Sequence, residues 1–283
     1  MPNTDRPMTE FERKLFRRLP AAQRALRAAL YAFHEGTVMG TIRNRRFLEL
    51  AQKIAERHLE RQVPDPELRA KLTPSYTLGC KRITSSDTYF PALQQPNSEL
   101  VSDPIAEVTA SGIRTADGEV RELDAIILAT GFQVLENPGF AAIHGRDGRS
   151  LTETWAGSPR AYLGTTVPNF PNLFFLVGPN SAGGFNSIIF TSESHINYVA
   201  ECLREMDRAG VATVEVRPQV YESFNRETEQ RLEASVWNAG GCASWYLDAN
   251  GRNCVWWPDF MWRLWQRTRR FDRGSYRAEL APA

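Results

Sequence analysis

Lys81 and Arg82 stand side by side in the run YTLGCKRIT, residues 76–84. Arginine keeps its charge when desolvated, and lysine is a compact point charge suited to a phosphate. A fixed cation of this kind can stabilise an oxyanion in a water-poor site. A second group is backbone rather than side chain. GPNSAGGFNS, residues 178–187, leads from an apolar run into a helical pattern. The open amides and the dipole of such a helix start can serve an electron-rich ligand edge. Gly183 and Gly184 would let backbone approach closely, and Asn186 can cap the helix. SWYLDANG places Trp245 where a planar ring with an N–H donor could pack and hydrogen-bond at once. Each signal has an ordinary counterpart: a solvated Lys-Arg pair, a tight strand–helix turn, and one core tryptophan among seven.

The elements that must position these residues show in the apolar periodicity. Thr9 followed by Glu12 predicts a capping box. Leu15, Leu19, Ala22, Leu26 and Leu30 then recur at helical spacing, with Pro20 breaking the run. A second helix is predicted from Asn44 to Val63, on the stripe Phe47, Leu48, Leu50, Ala51, Ile54, Ala55 and Leu59, ending at Pro64 and Pro66. From residue 76 the pattern turns to short β-type runs. EVTASGIRT and EVREL predict a hairpin around Ala116-Asp117-Gly118. DAIILATG, residues 124–131, and NLFFLVG, residues 172–178, are nearly all apolar, as in strands covered on both faces. A long helix is predicted over 186–209, with Ile189, Ile196, Val199, Ala200, Leu203 and Met206 on its apolar side. His195 within it reads as a helix histidine with its hydrogen bonds met. VATVEVRP reads as a strand, 221–239 as a helix, and the tail is rich in Trp and Arg.

Net charge is +1, so the whole chain has no bias toward polyanions, although residues 1–73 carry an excess of six basic residues. No apolar run is long enough to span a bilayer, and MPNTDRPMTEFERK lacks the apolar core of a signal peptide. Cys80, Cys202, Cys242 and Cys254 show no C-x-x-C spacing, which leads to an expectation of free thiols in a reducing cytoplasm and no metal site. Neither nucleic acid nor a membrane surface is expected as a partner.

The ordered set Gly79-Cys80-Lys81-Arg82, Asp87-x-Tyr89-Phe90, Pro96-Asn97, Ala129-Thr130-Gly131-Phe132, NLFFLVGPN and SWYLDANGRN resembles FAD- and NADPH-dependent flavoprotein monooxygenases of the Baeyer–Villiger type. Flavin-containing N- and S-oxygenating monooxygenases are similar but less close. The resemblance implies an α/β fold, the C-terminal part of a flavoprotein with two Rossmann-like dinucleotide-binding domains. It divides the chain into a helical segment (1–75), a remnant of the NADPH domain (76–125), and the C-terminal part of the FAD domain with an extension (126–283). It implies Arg82 as the catalytic residue, stabilising a C4a-peroxyflavin that oxygenates a ketone or similar small organic substrate with O2. It implies Lys81 at the 2′-phosphate of NADPH and Trp245 at its ribose. Thr130, Gly131, Gly178, Pro179, Asn180, Asn186, Ser187 and Ile188 are implied near FAD, the last two through their amides. Gly183, Gly184 and Phe185 would line the substrate pocket.

The family's two Gly-rich pyrophosphate loops have no counterpart here, since the 283 residues contain no G-x-G-x-x-G and no G-x-x-x-x-G-K-[ST]. A truncated form, inactive without a partner carrying those loops or a further copy, is therefore expected. The alternative is a non-catalytic remnant or interaction module of the same ancestry. Either way, strands such as DAIILATG expect neighbours on both sides and would otherwise present apolar edges.

Overall fold

Thr9 and Glu12 close the predicted capping box: the Glu12 amide donates to Thr9 Oγ1 at 3.2 Å and the Thr9 amide to Glu12 Oε2 at 2.8 Å. Helix α1 (Glu10–Arg18) starts there, and α2 (Pro20–Val38) begins at the proline that cannot continue it. Helix α3 (Arg46–Gln62) ends before Pro64, and Asp65 caps α4 (Pro66–Leu72) through the amides of Glu67 and Leu68. The computed structural model describes residues 1–3, 6–38, 42, 46–132, 134–135, 137–184 and 186–280. Asn44 and the Phe47 side chain, both part of the sequence reading, lie outside what is described.

The architecture is α/β, with small antiparallel sheets. After α5 (Tyr89–Leu93) come β1 (Ile105–Val108), β2 (Gly112–Thr115) and β3 (Val120–Glu122), which pair in that order. The predicted turn at Asp117-Gly118 joins β2 to β3, and Asp117 accepts from the Glu119 amide and the Thr115 hydroxyl. The rest of the chain forms α6 (Leu151–Trp155), α7 (Ile188–Ala209), β4 (Val211–Val216), α8 (Pro218–Glu233), α9 (Val236–Ala239), α10 (Met261–Thr268) and β5 (Tyr276–Leu280). Strand β4 pairs antiparallel with β5.

Two compact units result. One comprises Met1–Thr4, Lys53–Ser75 and Thr84–Gln133; the other comprises Asp5–Gln52, Tyr76–Ile83 and Val134–Ala283. The second holds the main core, in which Leu151, Leu163, Tyr198, Val216, Met261 and Leu264 are almost fully buried. Beside it lies a smaller cluster of Leu48, Cys80, Val236, Trp237, Tyr246 and Trp256.

Four expectations are corrected. Residues 124–132 form no strand: Ile127 is 92 % exposed and Phe132 93 %. A doubly apolar strand needs hydrogen-bonded neighbours, and among the described residues none runs beside it. Residues 172–178 also lack a ladder. Their amides go instead to a tight turn, Phe175 to Thr165 O at 2.7 Å and Gly178 to Gly164 O at 3.1 Å. YTLGCKRIT is a hydrogen-bonded loop rather than a strand, with the Cys80 amide donating to Thr77 O. Finally, α7 buries the face bearing Thr191, Ser194, His195, Tyr198 and Cys202, while Ile189, Ile196 and Leu203 face outward. Tyr198 sets that orientation: it is fully buried and reaches Tyr276 of β5, the two hydroxyls 3.2 Å apart. No described helix is long and apolar enough to cross a membrane.

Candidate functional site

Lys81 and Arg82 meet the glycine-rich loop before α7 at a cleft of about 200 Å³ in the larger unit. Arg82, Gly184 and Asn186 lie on its walls, and Trp237, Tyr246 and Trp256 make it aromatic. Trp237 stacks on Trp256 with centroids 5.0 Å apart, and Tyr246 meets Trp256 edge-on at 4.8 Å. Trp245 extends this cluster by packing edge-on against Tyr246 at 4.8 Å, half exposed. The buried indole nitrogen of Trp256 has no hydrogen-bond partner among the described residues. Gly184 is required by packing, because a Cβ there would lie 2.5 Å from Trp237 Cζ2.

The cations are exposed, and no described carboxylate pairs with either. The Lys81 ammonium sits over the Tyr76 ring at 5.0 Å. Burial pushes the Tyr246 hydroxyl up, while the charge and backbone of Arg82 pull it down, so these two groups are in electrostatic contact.

Two features that sequence reasoning missed hold the cleft in shape. The first is Glu35 of α2, buried, whose carboxylate accepts from Asn186 Nδ2 and from the amides of Met261 and Trp262, each at 3.2 Å. It therefore tethers the loop before α7 and also serves the open N-terminus of α10. An acidic residue within an otherwise Ala- and Leu-rich helix was the one sequence signal for it. The second is a disulfide between Cys80 and Cys242, Cα atoms 6.1 Å apart and 162 residues apart in sequence. It corrects the expectation of four free thiols, and only Cys202 and Cys254 remain free. No spacing rule links residues so distant; the fold brings them together, with Gly240 so close that a Cβ would lie 2.7 Å from that of Cys80.

The other predicted site residues distribute as follows. Asn186 does not cap α7: Ser187 does, its side chain making no capping bond, because the Asn186 amide is drawn to Glu35. Ser187 and Ile188 are exposed, and no described acceptor meets their amides. Gly183 packs on Met261 rather than on the cleft. Phe185 lies outside the described residues. The amide of Gly178 bonds to Gly164, and Pro179 is partly buried. Asn180 is fully buried, donating to Asn253 O and Trp256 O and accepting from Arg252, so its side chain is committed within the protein. Thr130 and Gly131 are exposed in the smaller unit, Gly131 with φ 88°. His195 is buried, and its Nδ1 accepts from the Val177 amide at 3.0 Å. Among the described residues no cluster of His, Cys, Asp and Glu could hold a metal ion.

No family model matches the chain. A Baeyer–Villiger monooxygenase of Pseudomonas aeruginosa is 45 % identical over 283 residues, covering 100 % of this chain and 54 % of the relative. A Baeyer–Villiger monooxygenase of Streptomyces coelicolor is 41 % identical over 284 residues, with the same coverage of each. Among solved structures, an oxidised steroid monooxygenase bound to NADP superposes with a TM-score of 0.73 at 30 % identity, over 86 % of this chain and 47 % of that one. The chain is thus homologous to Baeyer–Villiger and other flavin monooxygenases and spans about half the length of the curated relatives it matches. Its α/β fold is that of part of such a flavoprotein, with Rossmann-like elements.

Proposed function

We propose that this chain forms the nicotinamide- and substrate-facing side of an FAD- and NADPH-dependent monooxygenase, corresponding to the C-terminal half of its relatives. The observation that carries this reading is the cleft itself: a Lys-Arg pair that no described carboxylate neutralises, on an aromatic wall, opposite the loop that opens α7. In this reading residues 76–125 belong to the NADPH domain and 126–283 to the FAD domain with its extension, after a helical segment at 1–75.

The residues fit one end of a dinucleotide. A cleft of about 200 Å³ is smaller than the 300–1,000 Å³ of pockets that enclose whole ligands, so it suits a ring with its ribose. Bound FAD, reduced by NADPH, supplies the activation of O2. Arg82 supplies a fixed positive charge where negative charge develops on oxygen, beside the aromatic wall of Trp237, Tyr246 and Trp256. Lys81 offers its ammonium to a 2′-phosphate. The free amides of Ser187 and Ile188 donate to an electron-rich ring edge, helped by the α7 dipole. Trp245 packs over the nicotinamide ribose. Gly178 and Pro179 contribute backbone near FAD, and Gly184 shapes the substrate pocket. The substrate is a ketone or similar small organic molecule. The pyrophosphates of both cofactors need Gly-rich loops that these 283 residues do not contain.

The test is reconstitution. The chain is purified alone and again with the unmatched part of the Pseudomonas aeruginosa relative. Alone, it is expected to carry no flavin absorbance. Together, flavin absorbance and ketone-dependent NADPH oxidation are expected, and Arg82→Ala is expected to keep the flavin while product formation falls by about a hundredfold or more. Undiminished product formation by Arg82→Ala would remove the role given to Arg82. The exposed Ile127, Leu128 and Phe132 favour a second reading, a non-catalytic interaction module. A stable complex that binds flavin but never turns over would select it.

A further inference from the structure

The Cys80–Cys242 bond joins two loops that otherwise meet through a shared apolar cluster and few polar contacts. Residues 76–83 contain neither helix nor strand, and neither do 240–246. Apart from the sulfur bridge, the Thr77 amide donates to Gly240 O at 2.9 Å, and the Arg82 backbone contacts the Tyr246 hydroxyl. The first loop carries Lys81 and Arg82, and the second carries Trp245 and Tyr246. Cys80 is fully buried, whereas Cys242 is partly exposed.

We propose that Cys80–Cys242 is a reversible dithiol–disulfide site, exchanged by low-molecular-weight thiols, that clamps the Lys81–Arg82 loop onto the aromatic cleft when oxidised. The consequence for a dinucleotide rests on the proposed function; the exchange itself does not. An incoming thiolate, RS⁻, attacks the Sγ of Cys242, the less buried of the two residues. The S–S bond breaks, an R–S–S–Cys242 mixed disulfide forms, and Cys80 leaves as a thiolate that then takes up a proton. A second RS⁻ attacks the R sulfur of the mixed disulfide, giving RSSR and Cys242 thiolate. Two thiols are oxidised and the one protein disulfide is reduced. The remaining cysteines do not compete: burial pushes the Cys202 and Cys254 thiols up to about 12. Because Cys80, Trp237, Tyr246 and Trp256 share one cluster, indole emission reports the bond through quenching by the disulfide.

The intact chain is equilibrated across glutathione/glutathione-disulfide ratios, and thiols are counted by alkylation and mass spectrometry. The expected result is a reversible passage between two thiols, Cys202 and Cys254, and four. Tryptophan emission rises on reduction, and hydrogen exchange quickens in residues 76–83 while far-UV circular dichroism holds. Cys242→Ser shows the reduced signature at every ratio. A bond that resists all glutathione ratios until the chain is denatured overturns the proposal, as does exchange that leaves residues 76–83 equally protected. NADP⁺ is then titrated into both forms, each assembled with the unmatched part of the Pseudomonas aeruginosa relative. Oxidised chain is expected to bind about three- to tenfold more tightly, because a pre-ordered loop loses less freedom on binding. Equal affinity in the two forms overturns the coupling to the cleft. Absence of NADP⁺ binding by either form counts against the proposed function, while thiol counts and hydrogen exchange still decide the redox site.

Discussion

Residue types announce chemistry more reliably than they announce their surroundings. Lys81, Arg82 and Gly184 were singled out by type and spacing, and the fold lines one cleft with them. Asn180 was implied near FAD by the family resemblance alone, and its amide is consumed by contacts to Asn253, Trp256 and Arg252. His195 reads in sequence as a helix histidine, and the structure adds a consequence for acid stability. Desolvation lowers its imidazole from 6.5 to about 4, the hydrogen bond to the Leu163 carbonyl opposing. The unfolded chain therefore takes up this proton first. Stability is complete above pH 6.5 and falls as pH drops toward 4, by up to about 3 kcal/mol. Melting temperatures are expected to decline across that window, and His195→Asn, which can still accept from the Val177 amide, is expected to flatten the decline. Parallel acid limbs in the two proteins would refute this.

At the scale of elements, sequence boundaries were legible wherever a cap or a proline set them. Thr9, Pro20 and Pro64 start or stop helices in the structure as their chemistry requires. Which face a helix buries was less legible. Helix α7 turns Ile189, Ile196 and Leu203 outward because Tyr198 and His195 anchor its opposite side, and periodicity counts apolar residues without knowing what waits across from them. Glu35 is a similar case, since among the described residues it accepts from residues as distant as 186, 261 and 262. Glu35→Ala leaves the first amides of α10 and the Asn186 side chain without their acceptor and is expected to cost about 2–3 kcal/mol. Glu35→Gln, which keeps one acceptor oxygen, is expected to cost less. Urea midpoints of both variants measure this, and equal midpoints for Ala and wild type would show that the carboxylate contributes nothing to stability.

At the scale of the whole molecule, the outstanding feature is apolar surface without cover. Ile127, Leu128 and Phe132 on one unit, and Ile189, Ile196 and Leu203 on the other, stand in solvent. Unpaired apolar backbone invites association. The chain is expected to elute above its monomer mass in size exclusion as concentration rises. A double change, Ile127→Lys with Leu128→Lys, is expected to shift it toward the monomer without altering the melt of the larger unit. A wild type that stays monomeric at high concentration would refute this. The sequence by itself determined the caps and breaks of the helices, the β2–β3 turn, and the residues with chemistry to offer. These depend on local bonds and near-neighbour periodicity, which a linear chain displays. Only the tertiary structure decided that Cys80 meets Cys242, that Glu35 holds Asn186, and that DAIILATG stays unpaired. Each depends on what a distant segment supplies or fails to supply, and no local pattern encodes that.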